Sequence, residues 1–124
     1  AKRPRHDKPE LIASALEAAL DAYLLKYLNG RAEQLAQSHG LTYRDIVLSN
    51  ARTTWGTCRR DGLIRMNWRL VFLEVELVDY VLAHELAHTV QMNHSTKFWQ
   101  QVGVLCPEYL RLRKQMKQYD LRNA

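Results

Sequence analysis

The sequence predicts an α+β fold in one domain, with a small antiparallel sheet of about three strands packed between helices. Three observations predict it. Apolar residues recur at helical spacing from Pro9 to about Asn29 and again from about Glu74 to Met92. Between those stretches lie short β-type runs, one of which carries turn chemistry at Arg60-Asp61-Gly62. The 124 residues, 47% apolar and 25% charged, suit a single modest core and exclude a multidomain chain.

The elements follow in order. Residues 1–8 form a flexible basic segment ahead of one domain spanning 9–124. Leu11, Ala15, Leu16, Ala19, Leu20, Tyr23, Leu24 and Tyr27 mark the first helix, with Gly30 as a stop signal. Arg31 to Ser38 is helical too and ends at Gly40; whether it continues the first helix across Asn29-Gly30 stays open. Asp45–Ser49, Arg52–Cys58 and Leu63–Trp68 are the candidate strands, the last alternating as a half-buried strand does. After the long helix to Met92, a loop at Asn93–Thr96 precedes a helix carrying Phe98, Trp99 and Val102. Pro107 then separates off a last amphipathic helix, Glu108–Leu121.

With 18 Lys and Arg against 13 Asp and Glu, the formal charge is +5 and the pI about 9.4. That balance permits attraction to nucleic acid such as DNA, to an anionic membrane or to acidic proteins without choosing among them. Arg52, Arg59, Arg60 and Arg65 form the central cluster and are the candidate polyanion contacts; an exposed strand face accounts for them equally well. No run approaches the roughly 18 apolar residues of a membrane span. Cys58 and Cys106 read as reduced thiols, which places the chain in the cytoplasm.

Chemistry concentrates at His84-Glu85-Leu86-Ala87-His88. Side chains on an α-helix step by about 100°, so His84 and His88 lie about 40° apart around the axis and one turn apart along it. Two imidazoles so placed can grip one Zn²⁺, with Glu85 beside them as general base, which is the metalloprotease use of HExxH. A catalytic zinc takes three protein ligands and keeps one position open. His94, ten residues after His84, has the offset of the third histidine in HExxHxxGxxH. Gln91 stands where that pattern has glycine, so the turn falls to Asn93, which tolerates the left-handed conformation. A helical His pair also occurs as a mere polar face; the apolar Val81-Leu82-Ala83 and the third histidine argue for a metal.

Trp55, Asn67 and Tyr80 are candidate substrate or transition-state contacts, each with a structural alternative. Trp55 reads as core or cleft wall, Asn67 as a ligand orienter or peptide-backbone binder, and Tyr80, four residues before His84, as oxyanion donor or core tyrosine. Glu74, Asp79 and Glu108 are candidate acceptors for the second ring N–H of a ligating histidine.

Trp55-Gly56-Thr57-Cys58, Gly62 to Asn67, Asp79-Tyr80-Val81, His84 to His88, Asn93-His94-Ser95 and Phe98-Trp99 together resemble the YgjP-like metallopeptidase domain family. More distantly they resemble the SprT-like proteases. The resemblance spans roughly 32–113 and implies a zincin-like fold and a zinc-dependent peptidase acting on a peptide or protein. In that family a β-rich region often precedes this catalytic half, which implies a fragment or a short member. The family commonly has Arg-Trp-Gly-Ser-Cys; here Thr54 and Thr57 replace the Arg and Ser, so Arg52 or Arg59 would take over any role of that Arg. A DNA-associated protease, or a nucleic-acid-binding module with a structural or regulatory zinc, is the competing reading. The sequence leaves the oligomeric state open.

Overall fold

A computed structural model describes residues 8–121. The basic residues Lys2, Arg3 and Arg5 of the expected opening segment lie outside that range, and Lys8 opens the first helix. Helix α1 (Lys8–His39) is followed by strands β1 (Asp45–Ser49), β2 (Gly56–Cys58) and β3 (Leu63–Asn67). A short 3-10 helix (Trp68–Phe72), then α2 (Val75–Ala87), α3 (Thr96–Leu105) and α4 (Tyr109–Met116), complete the chain.

α1 runs unbroken through Asn29-Gly30. A glycine inside a helix costs about 1 kcal/mol against alanine. Burial of Leu24, Leu28, Ala32 and Leu35 along one face outweighs that, since a buried leucine contributes roughly 1.5–3 kcal/mol. The helix ends where Gly40 takes a positive φ of 65°.

The three strands form the expected sheet, but it is mixed. The order is β1-β3-β2, with β2 antiparallel to β3 across the Gly62 turn and β1 parallel to β3. A parallel neighbour needs a long return connection, and here the chain from Ser49 to Leu63 makes it by inserting β2 on the far side. Side chains alternate across a sheet, so Ile46, Leu48, Ile64, Met66, Gly56 and Cys58 share the face toward the helices. Val47, Arg65 and Thr57 share the other, on which Arg65 and Thr57 are exposed.

Helix α2 crosses the inner face of the sheet and is its most buried element, with Leu77, Leu82, Leu86 and Ala87 fully enclosed. It stops earlier than its apolar pattern suggested. Thr89, Val90 and Gln91 close tight turns onto Leu86 and Ala87 carbonyls, and Val90, 54% exposed, has no core to hold it in helix. Asn93 does not make the turn in a left-handed conformation, because no described residue other than glycine has a positive φ. The Ser95 hydroxyl accepts from Phe98 N at 3.3 Å and starts α3. α4 is shorter than Glu108–Leu121, although Leu121 is buried beyond its end. Among the described residues no helix is long and apolar enough to cross a membrane.

Candidate metal centre

His84 sits in the last turn of α2, His88 caps its C-terminus, and His94 lies in the loop just before α3. One ring nitrogen from each lies within 4.8 Å of the other two. Ligand atoms around a tetrahedral zinc, at ~2.0–2.1 Å from the ion, stand roughly 3.4 Å apart, so small ring rotations bring the three into range. The donor set fits: three imidazoles and no cysteine thiolate is a combination that suits a hydrolytic zinc.

The rings are oriented from behind. His88 Nδ1 lies 3.0 Å from the Gln91 carbonyl oxygen; donating there fixes the tautomer that leaves Nε2 free for a metal. Phe98, fully buried at the start of α3, stacks on His88 with centroids 4.4 Å apart and 28° between planes. It also meets His84 and His94 edge-on, at 5.0 and 4.9 Å. One apolar ring thus braces all three imidazoles. Partial burial first, then the neighbouring His84 and His88, hold the His94 pKa below the ordinary histidine value, which favours the neutral form that binds metal.

Glu85 is 4% exposed, and its Oε2 lies 3.1 Å from His84 Nδ1. The strand above it makes this packing possible. A Cβ on Gly56 would stand 2.9 Å from Glu85 Cγ, 3.1 Å from its Oε2 and 3.1 Å from Val81 Cγ1. Only a residue without a side chain lets β2 lie this close to the carboxylate. Cys58 faces the same way; burial, then the charge of Glu85, pushes its thiol up to about 11. Both cysteines are free, Cys58 half-buried and Cys106 buried. In this antiparallel pair Trp55 and Arg59 bond across to Asn67 and Leu63, so the backbone groups of Gly56 and Cys58 point to the open edge of the sheet.

The other sequence candidates fall in different places. Tyr80 is buried one turn before His84, its ring edge-on at 6.2 Å; burial raises its hydroxyl to about 12. Trp55 donates from Nε1 to the Tyr119 carbonyl at 3.0 Å, and its ring walls a groove of about 450 Å³ with Trp68, Phe72 and Tyr119. Asn67 is fully buried and used internally: its amide donates to the Ala51 and Thr54 carbonyls, and its Oδ1 accepts from Arg69 N. It shapes the loop leading into Trp55-Gly56.

The histidine supports also differ from expectation. Asp79 accepts from the Tyr27 hydroxyl and lies 3.7 Å from Arg31, tying α1 to α2, while Glu108 lies 3.8 Å from Arg111. Glu74 stands at the N-terminal cap of α2, and the groups found beside the ring nitrogens are the Gln91 carbonyl, 3.0 Å from His88 Nδ1, and Glu85 Oε2, 3.1 Å from His84 Nδ1. The central arginines are dispersed. Arg59 and Arg44 share Asp61, Arg60 flanks the same turn, Arg65 is on the sheet face away from α2, and Arg52 is exposed in the loop before β2.

Gly56, the bracing ring of Phe98 and the Gln91 carbonyl were not singled out from the sequence as parts of the centre. A glycine beginning a strand beside a tryptophan was the one legible signal among them, since such a position marks close backbone approach.

Comparison with known proteins agrees with this architecture. The profile of the YgjP-like metallopeptidase domain matches residues 1–119. A similar solved structure is the crystal structure of the metallopeptidase zymogen abylysin of Pyrococcus abyssi. Its TM-score is 0.65 at 22% identity, over 73% of this chain and 93% of that one, which is a likeness of fold. A search of curated proteins gives no match.

Proposed function

The chain belongs to the YgjP-like metallopeptidase family, and from that premise we propose that it cleaves peptide bonds with a zinc held by His84, His88 and His94 and Glu85 as general base. The observation that supports this most is the convergence of three imidazoles beside one buried carboxylate. Zinc at such a site supplies Lewis acidity, polarising a substrate carbonyl and making water a stronger acid.

The protein's own groups do the rest. Glu85, held against His84 and under Gly56, takes the proton of the attacking water and passes it to the leaving amine. An extended substrate lies along the open edge of β2, where the backbone groups of Gly56 and Cys58 supply strand-like hydrogen bonds and fix its register over Glu85. The Phe98 brace and the His88–Gln91 bond keep the rings in place, so little reorganisation accompanies turnover.

Glu85→Gln tests the reading. The amide is nearly isosteric and keeps a hydrogen-bonding oxygen, so the variant should bind one zinc per chain and lose at least a hundredfold in turnover of a mixed peptide library. Undiminished cleavage by that variant would refute Glu85 as the base. Failure of the wild-type chain to bind zinc would refute the metal site itself.

A further inference from the structure

The helix α4 carries several cations on its exposed side, and they do not have equivalent surroundings. Arg111 is satisfied, with Glu76 at 2.8 Å and Glu108 at 3.8 Å. Arg113 has no carboxylate partner among the described residues. Instead its guanidinium carbon lies 4.2 Å from the centroid of a Trp99 ring.

Trp99 is itself part of the wall of the metal centre. Its ring is 5.7 Å from that of His84, edge-on, and stacks with His94 at 6.2 Å and 28°. Tyr109, in the first turn of α4, stacks on Trp99 at 5.9 Å and 20°. Arg113 follows Tyr109 by one turn of α4, so helix and indole fix the guanidinium from two directions. An arginine laid on an aromatic ring keeps its outer N–H groups free and gives up little rotamer freedom when it binds. Its charge also reaches inward: after burial, which raises the Tyr80 hydroxyl, Arg113 is the largest opposing influence on it. The result is a preorganised cation with no carboxylate partner among the described residues, one indole away from the histidines.

We propose that Arg113 is a specificity-determining residue that binds a substrate carboxylate within about three residues of the scissile bond. This rests on the peptidase reading above. The span follows from the geometry. The guanidinium lies 4.2 Å from the indole centroid, and the His84 and His94 rings lie 5.7 and 6.2 Å beyond it, so the separation is at most about 10 Å, which up to about three residues of extended peptide cover at ~3.3 Å each. A planar guanidinium with free outer N–H groups matches a carboxylate in two parallel hydrogen bonds. The carboxylate comes either from a substrate C-terminus or from an internal Asp or Glu side chain.

Four peptide libraries of otherwise equal composition separate these sources: C-terminal acid against C-terminal amide, and internal Glu against internal Gln. With the zinc-loaded chain, one carboxylate-bearing library should be cleaved with about tenfold higher kcat/KM than its neutral counterpart, mostly through KM. The pair that shows the difference identifies the source. Arg113→Gln should erase the preference, and Arg113→Lys should restore part of it. The same libraries are titrated against zinc-loaded Glu85→Gln, where binding is read without turnover. Equal treatment of acid and neutral peptides by the parent chain overturns the proposal, as does a preference that survives Arg113→Gln. If nothing is cleaved but binding still favours the carboxylate in an Arg113-dependent way, the hydrolytic reading fails and the anion site stands.

Discussion

Gly56→Ala probes the closest contact between the sheet and the carboxylate proposed as base. The new Cβ would meet Glu85 Cγ at 2.9 Å, Glu85 Oε2 at 3.1 Å and Val81 Cγ1 at 3.1 Å. None of these atoms can move away freely. Val81 and Glu85 are each 4% exposed, and Glu85 lies against His84. To reach ordinary contact the strand and helix must part by roughly 0.5 Å or more, in an interior packed without slack. Overpacking of this kind costs about 1–3 kcal/mol. Gly56 has no positive φ, so loss of glycine's freedom in the unfolded chain returns about 0.4–1 kcal/mol. The net loss of about 1 kcal/mol corresponds to a Tm lower by roughly 4 °C for a domain this size. The catalytic effect should be larger, because a carboxylate misplaced by a fraction of an ångström loses about ten- to a hundredfold in rate. Thermal melting, zinc content by elemental analysis and kcat/KM on one peptide library measure the three quantities on the same sample. Retained zinc, a small Tm drop and a much larger rate loss are expected. A variant with parent activity would refute the idea that Gly56 exists to let β2 approach Glu85. Gly30→Ala is the matched control: nothing lies within 4 Å of its Cβ, and it sits inside α1. It should raise stability by about 0.5–1 kcal/mol and leave kcat/KM unchanged.

Two further outcomes are expected. Asn67→Ala removes the bonds to the Ala51 and Thr54 carbonyls and to Arg69 N, at a position fully closed to bulk solvent. It should cost about 2–4 kcal/mol in urea unfolding, and a loss below 0.5 kcal/mol would contradict the internal role assigned to this side chain. The metal-free chain should lose stability on acidification below about pH 6.5. The folded His94 pKa is lowered by burial and then by His84 and His88, so the unfolded chain takes up the proton first as pH falls. Melts of metal-free protein at pH 7.5 and 5.5 measure the difference, and His94→Ala should narrow it; an unchanged difference in that variant contradicts the shift.

The parts of this architecture that depend on local periodicity were legible in the sequence. His84, Glu85 and His88 are fixed relative to one another by one helical turn, and Ser95 announces α3 through a bond to its own third neighbour. β3 follows from the alternation over Leu63–Trp68 and ends one residue earlier, and β1 follows from the short β-type run Asp45–Ser49. What escaped were features set by partners distant in the chain. The direction of β1 against β3 is decided by how the segment from Ser49 to Leu63 returns, which alternation does not encode. The continuity of α1 at Gly30 is decided by burial of Leu28 and Ala32 on either side. Asn67 has the composition of a ligand-binding residue, and only the fold shows that its own loop consumes every polar atom. The brace at Phe98 has the same cause, because an apolar residue three positions into a helix looks like any other core residue until the histidines arrive around it.

The central claim is that three imidazoles hold one ion and leave it an exchangeable position. A crystal of the zinc-loaded chain, with anomalous data at the zinc edge, tests it most directly. The account predicts one peak per chain, with single nitrogens of His84, His88 and His94 at about 2.0–2.1 Å and a solvent oxygen in fourth place. A peak bound by fewer than these three rings, or one whose fourth ligand is a protein atom, would contradict it.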